Sequence, residues 1–267
     1  MSETMRRTLL LSLPLLLLSA CGSTAPPRPP AAVERAASAD REAKRALRDG
    51  DLAVARNLFE QSLRLQQSLD NLPGIAVASI NLASVYHRMN NDEMALRLLN
   101  GIVLEKVTSY PADARADAAF RKAVILVDAA SKDAPAAVEA AAQLCTSSCA
   151  NGAGLYNLRA RMALAGKDYV LAAGYAKSAA DVSGDNKEEF ANARRNSAAA
   201  ERAQGQHAQA LEHYLAALEV DKQLGLARRI AEDLDGTSNA LEKLGRKDEA
   251  ASYARRAAAA HDAIRAR

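Results

Sequence analysis

From residue 34 onward, apolar residues recur at spacings of three and four. That is the period of a helix with one buried face. No stretch alternates apolar and polar positions as a half-buried strand would. Short turn-like groups interrupt the pattern at Gly50-Asp51, Asn90-Asn91, Lys132-Asp133, Gly166-Lys167, Gly205-Gln206 and Gly245-Arg246. The intervals between them are 40, 42, 34, 39 and 40 residues. An alanine follows each turn by five residues, at Ala55, Ala95, Ala137, Ala210 and Ala250, or by six at Ala172. Four residues later stand Phe59, Leu99, Ala141, Ala176, Tyr214 and Ala254, and three further on Ser62, Ile102, Leu144, Ala179, Ala217 and Ala257. These spacings place each trio on one face of a helix. The chain therefore reads as a series of helix pairs, and a fixed period of this length marks a repeat array.

Packing explains the alanines. A second helix approaches the first closely only where the crossing point carries a small side chain, and the larger residue one turn on fills the remaining gap. Before the turns the first helices present their own stripes, such as Leu82 with Tyr86, Leu158 with Met162 and Leu241 with Leu244. Asp51, Asp92, Asp168 and Asp248 stand near the starts of the second helices, where a carboxylate suits unpaired backbone N–H groups. Residues 50–102 match 205–257 at a constant offset of 155, pairing Gly50 with Gly205, Phe59 with Tyr214 and Leu69 with Leu224 without a gap.

The stretches "NLASVYHRMNNDEMALRLL" (81–99), "NLRARMALAGKDYVLAAGYAKSA" (157–179) and "GQHAQALEHYLAAL" (205–218) resemble the tetratricopeptide repeat family. Its pattern has Asn-Leu-Gly/Ala and a tyrosine in helix A, a Gly-Asp-type turn, then alanine, an aromatic and alanine in helix B. The resemblance implies an all-α solenoid of about six antiparallel helix pairs in a right-handed superhelix, over residues 34–267. It is weak over 104–150, where the third unit lacks both the glycine and the aromatic.

The amino-terminal segment has a different character. Arg6 and Arg7 precede the apolar run Leu9–Leu18, and small Ser19 and Ala20 lead into Cys21. The run falls short of the roughly 20 residues a membrane span needs. The order of basic, apolar and small residues is that of a secretory signal peptide over residues 1–20. Leu18-Ser19-Ala20-Cys21 resembles the lipobox of bacterial lipoproteins, which implies cleavage before Cys21 and acylation of that residue. The proline-rich stretch over 21–33 is expected to be an extended tether. Gly22 stands where enterobacterial inner-membrane lipoproteins carry aspartate, which implies the outer membrane, with the body facing the periplasm.

Charge adds little. Lys and Arg total 35 against 32 acids, and 33 against 31 once the first 20 residues are removed. Nothing in that balance calls for nucleic acid. Aromatic content is 4% with no tryptophan, so the core is built from alanine and leucine. Cys145 and Cys149 sit in Cys-Thr-Ser-Ser-Cys. An exported chain meets an oxidising compartment in which such a pair forms a disulfide. On a continuing helix their Cα atoms would lie about 6 Å apart, within bridging range, although the intervening Ser and Thr suggest a helix end. A zinc site would need ligands that no second cysteine pair or nearby histidine supplies. His87, His207, His213 and His261 match no metal-binding spacing. No phosphate loop or catalytic constellation stands out, so neither cofactor, metal nor enzymatic role is expected.

A helical solenoid offers a concave surface. The resemblance assigns Asn81, Asn157 and Asn196 to the helix-A asparagine, which in peptide-binding relatives contacts the backbone of an extended ligand; an amide both donates and accepts, as a peptide bond requires. The same asparagines could instead tie helix A to its neighbours. Ser84, His87, Arg88, Tyr156, Arg195 and Arg202 accompany them on the adjacent face. The expected function is a membrane-anchored periplasmic adaptor that binds protein or peptide partners, in envelope assembly of the secretin or pilus kind or in recruiting envelope hydrolases. The alternative is a small-solute or transporter-associated binding protein.

Overall fold

A computed structural model describes residues 30–105, 107–145 and 149–265. Cys21, the apolar run before it and most of the tether lie outside the described residues. Among those described, twelve helices and no strands follow one another. They pair as α1 (Ala31–Asp49) with α2 (Leu52–Ser68), α3 (Leu72–Arg88) with α4 (Asp92–Val103), and α5 (Ala112–Asp128) with α6 (Ala134–Leu144). Then come α7 (Gly152–Ala165) with α8 (Tyr169–Val182), α9 (Lys187–Ala203) with α10 (His207–Leu224), and α11 (Ala227–Lys243) with α12 (Lys247–Arg265). Each helix packs on the next, which makes the chain a solenoid of six antiparallel pairs. Helix α1 begins at Ala31, just after Pro30 and inside the stretch assigned to the tether.

One backbone device repeats at every turn between the helices of a pair. A residue with positive φ stands at Gly50, Asn90, Ala130, Lys167, Gly205 and Gly245. In each case the following N–H reaches back to a carbonyl five residues earlier: Asp51 to Ala46, Asn91 to Tyr86, Ser131 to Leu126, Asp168 to Ala163, Gln206 to Glu201 and Arg246 to Leu241. This is the left-handed closure that satisfies the last carbonyls of a helix. Asp51, Asn91 and Asp168 then accept hydrogen bonds from the N–H groups of Val54, Met94 and Leu171 at 3.1, 3.2 and 3.0 Å, opening the second helix. The 155-residue match extends to backbone conformation. Positive φ recurs at Gly50 and Gly205, Asp70 and Gly225, and Asn90 and Gly245.

The third pair requires a correction of register. Its left-handed residue is Ala130, two residues before the turn expected at Lys132-Asp133. A further tight turn, closed by Ala134 N–H on the Ser131 carbonyl, delays α6. The buried trio is therefore Ala134, Val138 and Ala141, not Ala137, Ala141 and Leu144. The left-handed residues run at intervals of 40, 40, 37, 38 and 40, more even than the turn signals in the sequence.

Elsewhere the alanines five or six residues after each turn behave as their spacing predicts, whereas Ala254, expected on the buried face of α12, is exposed. Ala55, Ala95, Ala172 and Ala210 are fully buried and Ala250 nearly so, with Phe59, Leu99, Ala176 and Tyr214 beside them. Glycine serves as the small residue at two crossings. A Cβ on Gly154 would run into the Phe120 ring, and one on Gly236 into the Tyr214 ring. The core falls into clusters, several of them shared between successive pairs.

Candidate functional site

The odd-numbered helices touch one another along the array, α3 on α5, α5 on α7 and α7 on α9, while the even-numbered ones make no comparable contacts. The odd helices therefore line the inner side of the curve. Side chains stitch this inner wall together. Asn81 Nδ2 donates to Asp40 Oδ1 at 3.3 Å, tying α3 to α1. Arg88 donates to the Leu47 carbonyl at 3.0 Å, which also receives the Gly50 N–H at 3.4 Å at the end of α1. Between α5 and α7, Asn151 donates to Asp117 at 3.4 Å.

The asparagines that resemblance assigned to a ligand are used within this wall. Asn196 Nδ2 donates to Asn157 Oδ1 at 3.0 Å. Asn157 Nδ2 donates in turn to the Glu189 carbonyl at 2.9 Å and to Glu189 Oε2 at 2.7 Å. Both asparagines are buried. Their amides join α7 to α9 and are not offered to a groove, because the small residues around them bring the two helices close.

Arg195 is likewise not a groove cation. It lies between α9, α10 and α11, donating from Nε to Asp233 Oδ1 at 2.7 Å, from Nη2 to Asp221, and from Nη1 to Asn192 Oδ1 at 2.9 Å. Both aspartates are at most 1% exposed. Such burial of carboxylates requires a partner of this kind.

His87 sits between two acids. Its Nδ1 is 2.6 Å from Asp92 Oδ1 and its Nε2 is 3.1 Å from Asp128 Oδ2. Arg161 reaches the other oxygen of Asp128 at 2.5 Å. Burial pulls the His87 pKa down, but the hydrogen bonds and negative charges of Asp92 and Asp128 outweigh it and leave the pKa raised. The histidine thus fastens α3 to α4 and α5.

Ser84 donates to its own helix at the Ile80 carbonyl, and Arg202 is exposed. Tyr156 is half-buried, its ring 6.5 Å from that of Tyr175 in α8, with the Arg159 guanidinium 5.9 Å from its centre. The part of the inner wall that remains open includes Val77 on α3, 48% exposed, on the same stripe as Asn81, Ser84 and Arg88. On α5 the exposed Arg121 lies between Asp117 and Asp128 and pairs with Asp117 at 3.5 Å.

A feature with no counterpart in the sequence reading lies between α6, α7 and α8. A cleft of about 340 Å³ is lined by Val138, Glu139, Arg159, Met162, Leu171 and Tyr175, among others. Arg159 meets Glu139 across it at 3.3 Å. It opens because α6, at 11 residues, is the shortest helix and docks thinly on α7. The one sequence signal was the irregular third turn. Cys145 and Cys149 flank the loop that follows α6 and are disulfide-bonded, with Cα atoms 5.0 Å apart. No cluster of metal-ligating side chains occurs among the described residues.

A family model for the tetratricopeptide repeat matches residues 36–100, the first two helix pairs. Among solved structures, the chain is similar to a Rap protein complexed with Competence and Sporulation Factor, at 17% identity and a TM-score of 0.59, covering 86% of this chain and 66% of that one. The fold is a tetratricopeptide-type solenoid. Aspartyl phosphate phosphatase F from Bacillus subtilis gives 12% identity and a TM-score of 0.57, over 78% of this chain and 56% of the other. The apo form of RapI gives 13% and 0.58, over 86% and 66%. The chain thus spans between half and two thirds of these structures, and at such identities the likeness is one of fold. The comparison with curated proteins gave no match.

Proposed function

We infer that this chain is a binding adaptor that docks a protein or peptide segment on the inner wall of its solenoid. The observation that carries the reading is the wall itself. Successive odd helices are held side by side through side-chain ties, which builds an extended inner surface. Rigid elements of this kind lower the ordering cost of binding an extended segment. The Rap structure in complex with its factor supports the reading at the level of fold.

The inferred location is a bacterial envelope. The reading rests on Arg6-Arg7, the apolar run and Leu-Ser-Ala-Cys21, followed by the proline-rich stretch. Acyl chains on Cys21 would hold the solenoid at the outer membrane, each contributing about 0.8 kcal/mol per buried methylene. A partner bound on the inner wall would then be concentrated at that membrane, as assembly of a secretin or pilus, or recruitment of an envelope hydrolase, requires.

Photo-crosslinking in cells tests the inference. A crosslinking residue at Val77 or Arg121 should form discrete adducts with a partner polypeptide. The same residue at Val170 or Val182, exposed on α8, should not. Adducts confined to α8 would move the site off the inner wall.

A further inference from the structure

The last two helix pairs are joined by a buried charge cluster that does not balance. Among the described residues, Arg195 from α9 is the only cation in direct contact with Asp221 of α10 and Asp233 of α11. Arg195 Nη2 also lies 3.2 Å from Asp233 Oδ2, so one nitrogen faces both carboxylates. Asp221 is 1% exposed and Asp233 fully buried. Two ionised carboxylates against one guanidinium would leave a net negative charge out of reach of water. Burial of an uncompensated charge is costly, and a buried acid in that position takes up a proton instead. Two carboxylates held against one donor also share a proton readily, each oxygen acting as donor or acceptor to the other.

We propose that Asp221 and Asp233 hold one proton between them beneath Arg195, and that loss of this proton loosens the joint between the α9–α10 and α11–α12 pairs. The surrounding charges do not close the balance. From α10, Tyr214 lies beside Asp233 and is itself buried. Arg229 of α11 also acts on Asp221, but Glu232 engages it at 2.9 Å and acts on Asp221 in the opposite sense. Arg202 of α9 acts on Tyr214. On the far side of α11, His261 of α12 pairs with the exposed Asp235 and does not enter the cluster. In agreement, burial pushes Asp233 up to about 7, against the pull of Arg195 and with the help of Asp221.

The sign follows from linkage. The folded chain holds a proton that the unfolded chain releases near the ordinary aspartate pKa of about 4. Folding is therefore favoured at mildly acidic pH and loses that advantage as pH rises toward neutrality. The cluster makes the carboxy-terminal end of the solenoid a proton-sensitive joint, tightest in acid.

The test compares the full folded chain with its Asp233→Asn variant, by chemical unfolding from pH 5 to 8.5. His87 and His213 are present in both, so their titrations cancel. The ratio of folding constants, wild type over variant, should fall by about tenfold per pH unit between pH 5 and 6.5 and level off above about 7.5. A ratio constant across the range overturns the proposal. Carboxyl-carbon NMR of the wild type supplies a second readout that needs no variant to fold. One shared titration should appear near neutrality for the Asp221 and Asp233 signals. If both titrate below pH 5, the shared proton does not exist.

Discussion

Asn196 on α9 donates to the side-chain oxygen of Asn157 on α7, and Asn157 donates onward to Glu189. The chain of amides is buried, and Asn157 is engaged through both its side-chain oxygen and its nitrogen. Cutting it should therefore affect folding before binding. Asn157→Ala leaves Asn196 and Glu189 only their longer contacts, at 3.4 Å to the residue-157 carbonyl and to Asn192, and is expected to lower stability by about 1–3 kcal/mol. Denaturant unfolding checks this, and a loss below a few tenths would show that the amides are not engaged.

Gly236→Ala probes the closest crossing in the last pair. The new methyl would meet the Tyr214 ring, and the helices must part to accept it. Overpacking of this kind costs about 1–3 kcal/mol. The loss should shrink in a Tyr214→Leu background, which a double-mutant cycle measures.

His87 gives a pH dependence of known sign. Its folded pKa is raised above the unfolded value of about 6.5. Its contribution is thus fully present below pH 6.5 and is lost as pH rises through the raised value. His87→Gln should destabilise the chain by roughly 0.5–1 kcal/mol at pH 6, given the partial exposure of both acids. By pH 9 the difference should have nearly vanished. Thermal unfolding of both proteins at the two pH values decides it.

Cys21→Ser should abolish fatty-acid labelling and leave the chain unprocessed, because the lipobox reading places acylation on that sulfur. Equal labelling of mutant and wild type would remove the anchor from the picture.

Much of the fold could be read from residue spacing, because close crossings demand small side chains at fixed intervals. Ala55, Ala95, Ala172, Ala210 and Ala250 stand where that rule puts them. The third pair escaped because its turn is made by Ala130, a residue with no turn signature, while Lys132-Asp133 forms a second tight turn beyond it. The candidate site was less legible. An asparagine's chemistry suits a peptide ligand and a neighbouring helix equally, and only burial separates the two. Arg195 looked like a groove cation because its partners, Asp221 and Asp233, lie 26 and 38 residues away. The cleft at Tyr175 arises from a short helix, a property of length that apolar spacing does not encode.

The most direct measurement concerns the inner wall and a partner identified by crosslinking there. Its affinity for the purified chain should be compared with that for Val77→Asp/Arg121→Glu and for Val170→Asp/Val182→Asp. All four positions are exposed, and Arg121→Glu gives up only a surface pair with Asp117, so folding should be unchanged within about 1 kcal/mol. The expected result is at least a tenfold loss for the inner pair and no change for the outer pair. Unchanged affinity for the inner pair, with loss for the outer pair, would contradict an adaptor that binds through its odd-numbered helices.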